Sequence, residues 1–193
     1  MITAHHRKWM SGFGARAVIS TVALLSVLLF VATPSARAQT YKVLYNFACG
    51  TNASQPYYAG VVRDRAGNLY GTTVEGGLYG GPFGFGTVFK ISAHGAESVL
   101  HSFAGAPTDG ESPYAGLIRD SQGNLYGTTA GGGTSNNGTV FKVTAGGTET
   151  VVYSFAGKPD GANPTAALIL DGAGNLYGTT FAGGPPETEP CSN

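Results

Sequence analysis

The hexapeptide Asn-Leu-Tyr-Gly-Thr-Thr occurs three times in this chain of 193 residues, at 68–73, 124–129 and 175–180. Each copy follows an Asp-x-x-Gly: Asp64 with Gly67, Asp120 with Gly123, and Asp171 with Gly174. The copies stand 56 and 51 residues apart. Self-similarity at that period means stacked supersecondary units, each too small to bury its own apolar face. It also argues against a lone active site built from the repeated residues, because chemistry rarely needs three copies of one constellation.

The two ends read differently from the repeats. Arg7, Lys8 and Arg16 precede or open an apolar stretch of 16 residues, 17–32, followed by Pro34 and the small-x-small triplet Ala36-Arg37-Ala38. That order predicts a secretory signal peptide over 1–38, removed before Gln39, and the stretch is shorter than the ~20 residues of a spanning helix. The expected compartment is therefore outside the cytoplasm, secreted or at the cell envelope. From Gln39 onward seven Lys and Arg face eleven Asp and Glu, a net charge of −4. With no basic stripe, a nucleic-acid partner is not expected. Gly fills 29 of those 155 positions, and Tyr and Phe are plentiful. Low charge, high Gly and many aromatics suit short strands and tight turns rather than helices.

Aligned on the hexapeptide, each unit resolves into strands. A first segment (58–64, 114–120 and 165–171) follows a proline, at Pro56, Pro113 and Pro164. The hexapeptide is the second strand, and the loop between them predicts a hairpin. Asp64, Asp120 and Asp171 are expected to cap that hairpin by accepting backbone N–H bonds. Gly67, Gly123 and Gly174 are expected at φ > 0, beside Asn68, Asn124 and Asn175. A third strand reads Gly-Thr-Val-Phe-Lys at 86–90 and 138–142. After a tight turn comes a fourth, with Val99, His101 and Phe103 on one face, matched by Val151, Tyr153 and Phe155.

Four antiparallel strands in about 50 residues resemble one blade of a β-propeller. The segment 41–47 repeats the fourth-strand pattern through Val43, Tyr45 and Phe47, and is expected as a stray strand. The repeats then cover about 56–103, 113–155 and 164–184, with a Pro-rich tail over 185–193. The third unit stops after its second strand, giving roughly 2.75 units where closed propellers use 4 to 8. A truncated reading frame, an open array, or closure by oligomerisation would each account for that count; truncation is the favoured expectation, since the tail begins where the next Gly-Thr-Val-Phe-Lys is due.

The long pattern D-x-x-G-N-L-Y-G-T-T-x-x-G-G…G-T-V-F-K…S-F-x-G…D-G-x-x-P resembles the GloVer tandem repeat of bacterial exported proteins, over about 41–184. The resemblance implies a surface-exposed or secreted repeat protein without established catalysis. It also implies a C-terminal anchor of variable kind, and none is expected from residues 185–193. The D-x-x-G-N-L-Y element is also similar to hairpins of other propeller families.

No G-x-S-x-G, H-E-x-x-H, P-loop or dinucleotide fingerprint is present. Asp109-Gly110 and Asp160-Gly161 offer too few oxygens for calcium and read as turns. Lys90 and Lys142 read as strand lysines lying along the sheet, and Tyr70, Tyr126 and Tyr177 as packing aromatics, with sugar stacking the alternative. His101 takes the place of Tyr45 and Tyr153, so it reads as a packed aromatic with no ligand-spaced partner. Cys49 and Cys191, both in the exported part, are a candidate disulfide. No metal and no cofactor are expected.

The expectation is therefore an all-β, propeller-like, incomplete array acting as a binding or structural module without catalysis of its own. Its partner would be a surface glycan or another protein, or a second copy completing the blades. The candidate contact loop is 78–85, four residues longer than its counterpart, with Leu78, Tyr79, Phe83 and Phe85. The rival expectation is a fragment of a propeller enzyme, a lactonase or glycan-active hydrolase, which would use unlike residues from several units. A third is a truncated product without function.

Overall fold

In the computed structural model the described residues are 40–48 and 53–184. The leader, both cysteines and the Pro-rich tail lie outside them. The described residues contain strands, turns and no helix, so the chain is all-β. Among them no helix is long and apolar enough to cross a membrane. In chain order the strands begin with β1 (Ala53–Ser54), β2 (Val62–Arg63), β3 (Leu69–Thr73), β4 (Glu75–Gly76), β5 (Thr87–Ile91) and β6 (Glu97–Ser102). Then follow β7 (Gly110–Glu111), β8 (Ile118–Arg119), β9 (Leu125–Thr129), β10 (Gly131–Gly132), β11 (Thr139–Val143) and β12 (Glu149–Ser154). The last are β13 (Ile169–Leu170) and β14 (Leu176–Tyr177).

Two antiparallel four-stranded meanders result, in the orders β2-β3-β5-β6 and β12-β11-β9-β8, and β13-β14 form a third hairpin. None of the sheets closes on itself. Register is identical in the two full units: Gly71 faces Phe89 as Gly127 faces Phe141. The central strands β3, β5, β9 and β11 are more buried than the flanking β6 and β12, as their Val, Phe, Leu and Thr content allows. Both units carry a bulge where the third strand meets the fourth, between Val88 and Phe89 and between Val140 and Phe141. The bulge leaves Leu100 and Val152 unpaired, which interrupts the strict alternation expected for Val99, His101 and Phe103.

Neighbouring units pack through aromatic rings. Phe47 meets Phe89 edge-on with centroids 4.9 Å apart, and Phe103 meets Phe141 likewise at 5.0 Å. Around the second contact, Val88, Phe103, Leu117, Leu125, Phe141 and Val143 form the main core. Around the first, Ala53, Phe89 and Ile91 are joined by Tyr45, Phe47 and Leu69. The hydroxyl of Thr72 donates to the carbonyl of Ala115 at 2.9 Å, and Thr128 repeats this to Ala166 at 3.2 Å. Within each unit, paired threonines (Thr73 with Thr87, Thr129 with Thr139) bridge second and third strands through buried hydroxyls.

Three features differ from expectation. The first segment of each unit pairs over only two residues, because its earlier part faces the neighbouring unit instead of a ladder. A Cβ on Gly116 would lie 3.1 Å from the backbone N and O of Gly60. The segment 41–47 forms no strand, having no ladder partner among the described residues; Tyr45 and Phe47 nevertheless fill the places of His101 and Phe103. Lastly, the loops after the second strands add two-residue ribbons, β1-β4 and β7-β10, tying each inter-unit loop to the rim of the next sheet.

The hexapeptide glycine has a packing reason. A Cβ at Gly127 would sit 2.6 Å from Cζ of Phe141 and 2.9 Å from Cδ2 of Leu117, and Gly71 stands under Phe89 in the same way. Gly127→Ala is therefore expected to destabilise by about 1–3 kcal/mol through overpacking, read as a drop in the thermal midpoint. Gly60→Ala, with nothing within 4 Å of the added carbon, is expected to stay within about 0.5 kcal/mol.

Candidate functional site

The repeated hairpin residues are fully engaged where they stand. Both oxygens of Asp64 accept bonds: from the backbone N–H of Asn68 at 2.9 Å, its side-chain amide at 2.8 Å, and the Tyr70 hydroxyl at 3.0 Å. Asp120 and Asp171 repeat the set with Asn124 and Tyr126, and with Asn175 and Tyr177. The turn glycines Gly67, Gly123 and Gly174 have φ of 90°, 94° and 91°, a left-handed conformation that other residues adopt only with strain. The Asn68 side-chain amide, chief among these donors, holds Asp64 down at about 2, against the ordinary 3.8. Asn175 does the same for Asp171, also at about 2. At Asp120 burial pushes upward, and the bonds from Asn124 and Tyr126 more than reverse it.

The strand tyrosines and lysines are engaged too. Lys90 Nζ lies 6.0 Å from the centre of the Tyr70 ring, and Lys142 Nζ 5.7 Å from that of Tyr126. With its hydroxyl on an aspartate and an ammonium over one face of its ring, each tyrosine is committed within its own unit.

The candidate loop divides. Leu78, Tyr79 and Phe83 are 70%, 51% and 68% exposed. Phe85 instead packs against the main core. It is held there by backbone bonds from Phe85 N–H to Tyr79 and from Ser112 N–H to Phe85. Leu78 and Tyr79 form one wall of an open cleft of about 890 Å³ whose other lining includes Glu97, His101, Asp109 and Glu149.

Those last three are the chemically distinctive group of the molecule. His101 comes from β6, Asp109 from the loop before β7, and Glu149 from the first position of β12. His101 Nε2 donates to Asp109 Oδ2 at 2.9 Å. Asp109, buried, also accepts from the backbone N–H groups of Ala104 at 2.8 Å and Gly110 at 2.6 Å, which fix its carboxylate. Glu149 brings one oxygen to this pair, so that one atom from each of the three side chains lies within 4.8 Å of the others. Burial, then the charge of Asp109, push Glu149 up to about 7 from an ordinary 4.5, with His101 pulling the other way. Glu149 Oε1 is shut off from solvent without a hydrogen-bond partner.

Equivalent positions elsewhere show what is special here. Tyr45 stands where His101 does and approaches Glu97 at 3.5 Å. In the next unit Tyr153 donates to Asp160 at 2.7 Å, and Asp160 caps Ala156 as Asp109 caps Ala104. Asp109 and Asp160 thus form turns as the sequence indicates. What sequence reasoning missed is that His101 has partners: Asp109 is eight residues away across a loop, and Glu149 lies in the following unit. The signal available was the change from Tyr to His at one repeat position, opposite a recurring Glu.

The profile of a family described as the Gloeobacter/Verrucomicrobia repeat matches residues 28–188. No protein of curated function matches the chain.

Two outcomes test this geometry. The hairpin aspartates have folded-state values below their unfolded ones, so their contribution is complete above about pH 4 and lost as pH falls towards 2. The thermal midpoint should fall across that window, and less steeply in Asp64→Asn/Asp171→Asn. Separately, Asp109→Ala removes the acceptor of the Ala104 N–H and of the buried Gly110 N–H and should cost about 1–3 kcal/mol in chemical denaturation. His101→Tyr, which restores the residue of the other units, should leave stability within about 1 kcal/mol.

Proposed function

The chain belongs to the Gloeobacter/Verrucomicrobia repeat family, and on that premise we propose that it serves as an exported, propeller-like binding module at the cell surface or outside the cell, with a surface glycan as ligand. The observation that carries the reading is a cluster of three tyrosines outside the hexapeptides, two of them exposed and Tyr114 half-buried. Tyr58 is 88% exposed on a backbone of φ 57°, flanked by Tyr57 and Tyr114 with ring centroids 6.0 and 6.3 Å away. Tyr70 and Tyr126 of the hexapeptides are held by Asp and Lys, whereas the exposed rings of Tyr57 and Tyr58, beside half-buried Tyr114, are available to meet the C–H faces of sugars. Tyr79, Leu78 and Phe83 extend the supply of exposed apolar surface on the long loop.

A second reading, a glycan-active or lactone hydrolase of which this chain forms part, is favoured by one observation: His101, Asp109 and Glu149 are unlike residues contributed by two units to one cleft.

The test is binding of the secreted protein to immobilised polysaccharides. We expect saturable retention on at least one, weakened roughly 10-fold, about 1.4 kcal/mol, in Tyr58→Ser/Tyr114→Ser. Retention on none, or retention indifferent to both substitutions, would remove the glycan reading. Turnover of an aryl glycoside or lactone that vanishes in Glu149→Gln would replace it with the hydrolase.

A further inference from the structure

We propose that His101, Asp109 and Glu149 form a binding site for a divalent transition-metal ion, with zinc the best match to their donor set. One imidazole nitrogen and two carboxylate oxygens converge within 4.8 Å. An ion bonded to each at about 2.0–2.2 Å bridges such a triangle after small side-chain adjustments. The imidazole sets the class of ion. Calcium and magnesium take oxygen ligands, whereas a His and carboxylate set suits zinc and its neighbours.

The surroundings supply what a site requires. Asp109 is held in orientation by the N–H groups of Ala104 and Gly110, the kind of outer support that keeps a ligand pointed at its ion. Glu149 Oε1 is cut off from water with no donor to satisfy it. Among the described residues no Lys or Arg lines the cleft, so His101 is the one side chain there able to carry positive charge beside its carboxylates. On binding, the imidazole turns to its Nδ1–H tautomer, which frees the Nε2 lone pair now committed to the bond with Asp109. The open side of the cleft leaves a coordination position for water or an anionic group.

The repeat contains its own controls. Tyr45 and Tyr153 replace the nitrogen donor with a phenol at the equivalent positions, and Glu97, though also lining the cleft, meets Tyr45 and not a histidine. His101→Tyr therefore removes the key ligand by installing a side chain that this fold already accommodates twice. The inference stands on residues separate from the tyrosine cluster, so a failure to bind glycan leaves it intact and the reverse also holds.

Isothermal titration of the full chain with zinc chloride, against His101→Tyr and Glu149→Gln, decides it. The expected result is one zinc per chain, not displaced by excess calcium, with affinity falling in each variant by at least the ~10- to 100-fold that losing an outer-shell partner costs. Circular dichroism should show both variants folded and melting cooperatively. No zinc binding by the unaltered chain, binding unchanged in either variant, or displacement by calcium would each overturn the assignment.

Discussion

A four-stranded sheet with no helix beside it must bury a face against another sheet, and in this chain that burial turns on one ring. Phe89 and Phe141 each lie across the hexapeptide glycine of the adjoining strand and take a phenylalanine of the preceding unit edge-on. Fully burying such a side chain contributes on the order of 1.5–3 kcal/mol, and edge-to-face pairing adds about 0.5–1.5 kcal/mol. Much else follows. The second strand has to carry Gly under the ring, and the threonines beyond it have to be β-branched and hydrogen-bonded because they are buried there. The first segment gives up its ladder so that its backbone can approach the neighbouring unit. Repetition is thus a physical necessity: each unit completes the core of the one before it.

The same junction explains why a site arises where it does. Stacking places the fourth strand of one unit beside the start of the fourth strand of the next, so residue 45 meets Glu97 and residue 101 meets Glu149. The carboxylate is a constant of the repeat, and the side chain facing it is the variable. With Tyr the junction is a phenol–carboxylate contact. With His, and Asp109 already fixed by its turn, the junction becomes a three-ligand cluster. A single substitution in one copy changes the chemistry without touching the packing that builds the fold.

What was legible in the sequence was what is local. The Asp-x-x-Gly-Asn hairpin closes within a few residues, and its capping bonds and positive φ are as the residues dictate. The central strands were legible because Thr-Val-Phe-Lys, rich in β-branched and aromatic residues, recurs in both units. Non-local features were not. The ribbons β1-β4 and β7-β10 join glycine-rich loops that carry no strand signal. Residues 41–47 have a strand's pattern, but a pattern does not provide a ladder partner. Phe85 sits in a loop composed like a contact surface, yet the backbone bonds of that loop turn it into the core. His101 was hidden for the same reason, since its partners reach it through loop closure and inter-unit stacking.

Charge is the remaining constraint, and it bears on that cluster. Lys90 and Lys142 are spent over Tyr70 and Tyr126, where they cover rings instead of pairing with carboxylates. Among the described residues the one side-chain ion pair at contact distance is His101 with Asp109, itself conditional on a protonated imidazole. From Gln39 onward eleven Asp and Glu outnumber seven Lys and Arg, and with two lysines committed to aromatic faces the acidic groups of a half-buried cleft are left to be balanced from outside. Protonation is one way, and it is the direction in which burial and the charge of Asp109 push Glu149. A bound cation is the other, and it differs from protonation in holding all three side chains at once, joining two units through the same junction that the phenylalanines pack.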